Sequence, residues 1–267
     1  MSSVTGERVS TAGDGFNPTW QRHVAAYSLC AHLLPDQGKV LDLGCGVGHS
    51  FHLLAPRETT GFDADPQALE GQARETVVGD MRALPFEDAS FQAVLCVQAI
   101  EHVPDPERVL GQVRRVLDID GTAVFVTPNR LTFGQPDEII DPYHYIEYDP
   151  EQLRSLMAAG FRDVRILGIF GSPRQLEFVI GEHRRLDALL RLDPLHLRRF
   201  VPRLARQRLY DASLRLARRA WTRRRRRSAS RTSRWPRARW DRRSTSSPSC
   251  AANVAPWSCA IYGASRS

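Results

Sequence analysis

The sequence predicts an α/β fold, a doubly wound and mostly parallel sheet with helices on both faces. Short apolar segments alternate with helical patterns over residues 18–170, as parallel sheets require. Phe91–Val97 is apolar apart from one glutamine, which is typical of a strand that is covered on both faces. Proline follows an asparagine or aspartate N-cap at the start of the three longest predicted helices. A chain of 267 residues accommodates one such domain with additions.

The elements follow one another in the order that this class requires. The first helix begins at Pro18, behind an asparagine N-cap, and Pro35 and Gly38 end it. Short helices begin at Ser50 and Pro66, after the first two strands. Longer helices begin at Pro106 and Pro150, each behind an aspartate N-cap, and end near Leu117 and Gly160. The predicted strands, each a short apolar run bounded by turn residues, are 39–43, 59–62, 76–78, 91–97, 122–127 and 162–170.

Charge and composition divide the chain into four segments. Residues 1–16 are polar and predicted to be flexible, and residues 17–171 form the α/β domain. Residues 172–222 have an amphipathic, arginine-rich pattern that predicts added helices. These helices either cap the sheet and its active site or present a basic face to a membrane surface or an acidic partner.

Residues 223–267 form an arginine- and serine-rich tail that is predicted to be disordered, with these two residue types at 22 of 45 positions. Three interpretations remain open: out-of-frame translation of a GC-rich gene, a solvated tail, or a tail that binds nucleic acid.

The basic residues are concentrated in the last third of the chain. Residues 1–180 carry 14 basic and 25 acidic side chains, whereas residues 181–222 carry 11 and 4, and residues 223–267 carry 12 and 1. Because the α/β domain is acidic, we do not expect it to bind nucleic acid.

Other composition features exclude further classes. No apolar run approaches the ~18 residues of a transmembrane helix. The polar amino terminus does not resemble a secretory signal, and the five scattered cysteines indicate neither a zinc site nor a disulfide framework. We therefore expect a cytoplasmic protein. The sequence indicates no oligomeric state.

Glycines and acidic residues occur where the first three strands end. Gly44, Gly46 and Gly48 follow the first strand, whose end contains Asp42. Glycines at a strand-to-helix turn let the backbone approach a ligand closely. Asp63 ends the second strand, where a carboxylate can accept hydrogen bonds from ribose hydroxyls, and Asp80 follows the third. Together they predict a nucleoside-containing ligand at this edge of the sheet.

Five motifs in this order resemble those of the class I S-adenosylmethionine-dependent methyltransferases, which have a Rossmann-like fold. They are VLDLGCGVGHS, GFDADP, GDMRALPF, FQAVLCVQAIEHV and RRVLDIDGTAVFVTPNR, and they lie between residues 20 and 170. Within this family the chain is similar to the type-11 branch that contains ubiquinone- and menaquinone-biosynthesis methyltransferases. The resemblance implies S-adenosylmethionine as the cofactor and a further antiparallel strand beside the sixth, for which residues 257–262 are the only candidate.

The resemblance also implies the residues that bind the cofactor. Asp63 would hold the ribose, and Asp80 and the Met81 backbone would hold the adenine. Val97 and Gln98 would flank the sulfonium. The methionine part would be surrounded by Asp42, Gly44, Gly46 and Gly48.

Two histidines are candidates for the base that methylation of a hydroxyl requires. His102 follows the fourth strand, and His144 lies in the loop after the fifth strand. Glu101 is the candidate for a partner that orients the base. A structural or substrate-positioning role is the alternative for both. Gln98, Glu101 and His102 resemble the Glu-x-x-Glu-His metal-ligand pattern of some relatives, and His144 could be a further ligand. Because glutamine replaces the first glutamate, which weakens a site for a hard cation, we expect no metal.

The sequence thus predicts an enzyme that methylates a small-molecule, lipid-linked or glycan-linked acceptor, at oxygen rather than at nitrogen or carbon. One alternative is a nicotinamide-dependent oxidoreductase on a similar sheet, although His49 stands where the dinucleotide fingerprint needs glycine. Another is a non-catalytic cofactor-binding protein whose basic tail binds nucleic acid.

Overall fold

The computed structural model describes residues 18–133, 139, 141–171, 180, 181, 184, 191, 193, 197–202, 204–210, 212 and 258–266. Within these, seven strands form one sheet: β1 (Lys39–Leu43), β2 (Glu58–Asp63), β3 (Glu75–Val78), β4 (Phe91–Val97), β5 (Leu117–Pro128), β6 (Phe161–Ile169) and β7 (Ser258–Arg266). The helices are α1 (Pro18–Ala31), α2 (Pro66–Leu69), α3 (Pro106–Val116), α4 (Arg130–Phe133) and α5 (Pro150–Ala158). Single 3-10 turns lie at Phe51–Leu54, Ile100–His102 and Leu197–Phe200.

The strand order is β3-β2-β1-β4-β5-β7-β6. Neighbours from β3 to β5 are parallel, and β7 is antiparallel to both β5 and β6. The carboxyl ends of β1, β2, β4 and β5 therefore meet at one edge, where open α/β sheets bind ligands. The predicted fold class is confirmed.

Both faces of the sheet are covered, as the apolar sequence of β4 predicts. Phe91, Val94 and Cys96 pack into a cluster with residues of α3 and α5. Ala93, Leu95 and Val97 pack into a second cluster with residues of α1. Because successive side chains of a strand point to opposite faces, this alternation places helices on either side.

The largest departures from prediction are at α2 and at the end of α3. The helix predicted over 66–73 ends at Leu69, and Leu117, expected in the preceding helix, begins β5 instead. Leu117 pairs with Phe91, and the register is irregular before Ala93 pairs with Thr122. At Leu117, pairing with β4 thus prevails over the helical pattern of the sequence.

Part of the tail that the sequence predicts to be disordered forms a strand. Residues 258–266 pair with β5 along one side and with β6 along the other, so the antiparallel strand expected from the resemblance is present and begins next to its candidate position. The strand has few large apolar residues, so its position depends on backbone pairing with two neighbours rather than on its own pattern.

The other predicted segments are only partly covered by the structure. The flexible terminus predicted at 1–16 lies outside the described residues, as do most of 172–222 and all of 223–257. In the helical addition, residues 197–200 and 204–210 are helical. Across the part of the chain that is described, no helix is both long enough and apolar enough to span a bilayer.

Candidate active site

The glycine turn after β1 is held by hydrogen bonds to β2 and by close packing against Ala99, which lies shortly after β4. The amides of Gly44 and Cys45 both donate to the carbonyl oxygen of Phe62, at 2.8 and 3.1 Å. Gly44 has a φ of 73°, and a Cβ there would lie 2.4 Å from the Cβ of Ala99. Glycine is therefore required on grounds of both conformation and space.

Gly46 and Asp63 form the part of the turn that best fits a ligand. The amide of Gly46 donates to Oδ2 of Asp63 at 2.8 Å, and the amide of Asp65 donates to Oδ1 at 3.0 Å. A Cβ at Gly46 would meet nothing within 4 Å, so open space borders the backbone here. A half-buried carboxylate beside an accessible glycine suits the ribose and methionine parts of S-adenosylmethionine.

Asp80 and Met81 lie at the end of β3. Asp80 is exposed and forms an ion pair with Arg82, 2.7 Å between Oδ2 and a guanidinium nitrogen. The hydrogen bonds from Arg82 lower the pKa of Asp80, so the carboxylate is charged at neutral pH. Met81 packs against the core near Gly44. Met81 thus adjoins the turn, and the adenine-binding role of both residues stays a prediction.

Asp42 lies beneath the glycine turn and is fully buried. The hydroxyl of Tyr27 donates to its Oδ1 at 2.8 Å, and Arg74 lies 2.8 Å from its Oδ2. Burial raises the pKa of Asp42, and the charge of Arg74 and the bond from Tyr27 oppose this effect. With no exposed surface, Asp42 supports the turn from within, and its place beside the methionine part of the cofactor, which the resemblance implies, stays a prediction.

Arg74 and Gln72 attach the segment before β3 to the same turn. The guanidinium of Arg74 is covered by the ring of Phe51, 4.6 Å from its centroid, and its Nε donates to Gln72 at 2.9 Å. The Gln72 amide donates to the carbonyl of Gly46 at 2.8 Å. Neither residue was predicted from the sequence, because nothing in their spacing distinguishes them from residues on the surface of a helix.

Val97 and Gln98 join the glycine turn to the candidate catalytic residues. Val97 is buried, and the amide of Gln98 donates to the carbonyl of Val126 at 2.7 Å. Gln98 adopts a φ of 54°, a left-handed conformation that is uncommon for a residue with a side chain. The chain then enters the 3-10 turn Ile100–His102. The residues predicted to flank the sulfonium and those predicted to be catalytic are therefore neighbours at the sheet edge.

The structure brings the three predicted catalytic residues together. Glu101, His102 and His144 each place one ligand atom within 4.8 Å of the others. The two imidazole rings meet edge to face, 5.0 Å between centroids. Glu101 is fully buried; its Oε2 accepts a bond from Thr127 at 3.1 Å, and its Oε1 has no hydrogen-bond partner among the described residues. A cluster of this composition can exchange protons, and its geometry would also admit a divalent cation.

Glu147, which the sequence analysis missed, provides the hydrogen bond to His144. Its Oε1 lies 2.9 Å from Nδ1 of His144, and only 5% of Glu147 is exposed. Glu101, whose role as an orienting partner stays a prediction, accepts a hydrogen bond from Thr127. Burial alone would lower the pKa of His144, but the bond to Glu147 and the charges of Asp141 and Glu101 raise it above the ordinary value of 6.5. The i,i+3 spacing in a loop has no fixed geometry, so the sequence did not signal this pair.

The helical stretch at 204–210 packs on the loop that carries His144. Gln207 donates to the carbonyl of Pro142 at 3.3 Å, and the hydroxyl of Tyr210 donates to Asp141 at 3.1 Å. Asp141 in turn lies 3.9 Å from Nε2 of His144. Part of the predicted helical addition therefore adjoins the candidate catalytic residues.

Comparison with known proteins agrees with the geometry. A family model described as "Methyltransferase domain" matches residues 41–125. A Mycobacterium tuberculosis protein named "Probable S-adenosylmethionine-dependent methyltransferase" is 35% identical over 64% of this chain, and this chain spans 66% of its length. A protein named likewise from Mycolicibacterium smegmatis is 34% identical over 62% of this chain and 68% of its own length.

A demethylmenaquinone methyltransferase from Thermotoga maritima is 36% identical over 45% of this chain and 56% of its own length. A solved structure of an S-adenosylmethionine-dependent methyltransferase from Archaeoglobus fulgidus covers 91% of this chain and 93% of its own. Its TM-score is 0.50 at 17% identity, which supports the fold alone.

The chain belongs to the class I S-adenosylmethionine-dependent methyltransferases. Within this family it is similar to the quinone-biosynthesis enzymes. The cofactor of this family is S-adenosylmethionine, as the motifs predict.

Proposed function

We propose that this protein transfers a methyl group from S-adenosylmethionine to a hydroxyl oxygen of a small-molecule, lipid-linked or glycan-linked acceptor. The observation that supports this most directly is the His144–Glu147 pair, because a buried carboxylate fixes the imidazole next to the cofactor edge of the sheet. When bound, S-adenosylmethionine supplies a methyl group that is attached to a positively charged sulfur. The sulfur is the leaving group, and it keeps the electrons of the broken carbon–sulfur bond.

The residues at the sheet edge then have separate tasks. Asp63 and Gly46 bind the cofactor's ribose and methionine parts, and Asp80 and Met81 border the adenine. Nδ1 of His144 donates to Glu147, which leaves Nε2 able to accept the proton of an acceptor hydroxyl as the oxygen–carbon bond forms. Because most of the catalysis in a displacement comes from alignment and exclusion of water, one positioned base suffices.

The relatives support an acceptor with a hydroxyl group. One matched relative is named as a ubiquinone biosynthesis O-methyltransferase, and it is 29% identical over 54% of this chain. A quinol precursor carries a phenolic hydroxyl, whose proton a histidine can accept near neutral pH. A lipid-linked aromatic hydroxyl is therefore the acceptor class that we favour.

Calorimetric titration with S-adenosylhomocysteine tests the cofactor site. We expect micromolar binding by the full-length protein, and a loss of about 10- to 100-fold in Asp63→Ala, because hydrogen bonds to a charged group contribute about 1.5–3 kcal/mol. The matched control is Glu58→Gln, an exposed acid at the opposite end of β2, which should bind normally. Wild-type protein that does not bind, or equal affinities in both variants, would contradict the assignment.

A pair of acceptors that differ in one atom tests the site of methylation. A phenol and the matching aniline would be incubated with methyl-labelled S-adenosylmethionine, and the products identified by NMR. We expect the label on oxygen only. Methylation of the aniline alone, or at a ring carbon, would refute transfer to oxygen while leaving the cofactor assignment intact.

A further inference from the structure

Residues 197–210, named here the arginine-rich segment, expose large apolar side chains. The segment consists of a 3-10 turn and, after Pro202, a helical stretch over 204–210. The exposed fractions are 60% for Leu197, 83% for Phe200, 72% for Leu204 and 67% for Leu209. Single exposed apolar residues are common on proteins, but four within one short segment are typical of a surface that binds something.

The same segment is strongly basic. Among its 14 residues are five arginines and no acidic residue. Residues 1–180, in contrast, carry a net negative charge. Such a segment combines apolar side chains with positive charge. It therefore complements a surface whose outer layer is negatively charged and whose interior is apolar.

We propose that the arginine-rich segment docks the protein on an anionic lipid membrane. Its apolar side chains would enter the boundary between headgroups and acyl chains, and its arginines would pair with lipid phosphates. Nucleic acid is a poorer match, because exposed leucines would gain nothing from a phosphate backbone. An acidic protein would neutralise the arginines but would need its own apolar groove for Phe200 and Leu204.

Docking would place the active site at the membrane surface. Gln207 and Tyr210 contact Pro142 and Asp141, in the loop that carries His144. The loop and α4 expose two further apolar side chains, Tyr145 and Leu131. A lipid-linked acceptor could therefore reach His144 without leaving the bilayer completely. This consequence rests on the proposed methyl transfer, whereas docking itself does not.

Vesicle sedimentation of the full-length protein without cofactor tests the proposal. We expect binding to vesicles that contain 30% phosphatidylglycerol in phosphatidylcholine, and at least tenfold weaker binding to phosphatidylcholine alone. The double variant Phe200→Ser/Leu204→Ser should reduce binding about tenfold or more. Its folding is checked by the melting temperature, which should not change, because both side chains are exposed in the wild type.

The control is Ile119→Ser, which removes a side chain that is 66% exposed in the early part of β5, away from the segment. Ile119→Ser should bind like the wild type. Equal binding by the double variant and the control would overturn the proposal and point to the basic tail. Binding to an oligonucleotide duplex but not to vesicles would overturn it in favour of nucleic acid. If vesicles bind and methyl transfer is absent, only the proposed function fails.

Discussion

Arg74 and Asp42 form a buried ion pair under the cofactor turn, with 3% and 1% of their side chains exposed. We predict that Arg74→Met lowers the free energy of unfolding by about 3–5 kcal/mol, because it leaves an uncompensated buried charge. Lys39→Met, which breaks the exposed pair of Lys39 with Glu58, should cost less than about 1 kcal/mol. Urea denaturation of both variants gives the comparison.

A second substitution separates the lost charge from lost packing. Asp42→Asn combined with Arg74→Met removes both charges, so the double variant should be more stable than Arg74→Met alone. If Arg74→Met costs no more than Lys39→Met, the buried pair does not stabilise the turn.

The raised pKa of His144 predicts the acidic limb of the pH–rate profile. The base must be neutral, so the rate should rise with pH through a pKa above 6.5. Glu147→Gln removes the charge that stabilises the imidazolium, and the limb should move to lower pH. Glu107→Gln, an exposed acid in the first turn of α3, is the control and should leave the profile unchanged. A limb that stays in place in Glu147→Gln would exclude His144 as the base.

At the residue scale, the sequence predicted the glycines and aspartates at strand ends, but it did not predict the residues that contact the site from elsewhere in the chain. Glycine and aspartate at strand ends are recognisable because their roles depend on the backbone. Glu147 and Arg74 act through side-chain contacts that depend on how a loop folds back, which no spacing specifies. His102 and His144 were predicted from their place after β4 and β5, and the structure brings them together.

At the scale of elements, β7 should hold the distal half of the sheet together. Ile261 pairs with Phe125 of β5 and with Ile166 of β6, so Ile261→Pro would remove a ladder bond and leave a carbonyl unpaired. We predict a destabilisation of about 2–4 kcal/mol, seen as a lower midpoint in urea. Ser267→Pro, one residue beyond β7, should unfold like the wild type. Equal midpoints would mean that this segment does not form the central strand.

Two strands with a strong apolar run were predicted to the residue, whereas β7, which has no such run, lies in a segment predicted to be disordered. Phe91–Val97 and Lys39–Leu43 match the predicted bounds, because both are buried on both faces and end in turn residues. Ser258–Arg266 carries a weak pattern, and its strand arises from two neighbouring edges that only the folded chain provides. Local sequence therefore predicts an element when burial alone defines it, and fails when pairing defines it.

The whole molecule combines an acidic α/β domain with a basic final third. The sequence shows this asymmetry of charge, but it does not show where the basic residues lie in the folded protein. The mostly parallel sheet was predicted, because strands that alternate with helices require parallel pairing with helices on both faces. The strand order placed the glycine turn, Asp63 and His102 at one edge. The sequence did not predict the contact between the arginine-rich segment and the loop before His144.

Ligand-induced stabilisation of the whole protein distinguishes methyl transfer from the nicotinamide alternative. His49 occupies the position where a dinucleotide fingerprint needs glycine, and its ring packs within 6.3 Å of the rings of Trp20 and Tyr27. S-adenosylhomocysteine at 100 times its Kd should add about 2.7 kcal/mol of stability. For a domain of this size the melting temperature should rise by about 5–10 °C. NADH at the same concentration should leave it unchanged, since histidine stands where the dinucleotide fingerprint needs its third glycine. A rise with NADH and none with S-adenosylhomocysteine would reverse the choice of cofactor.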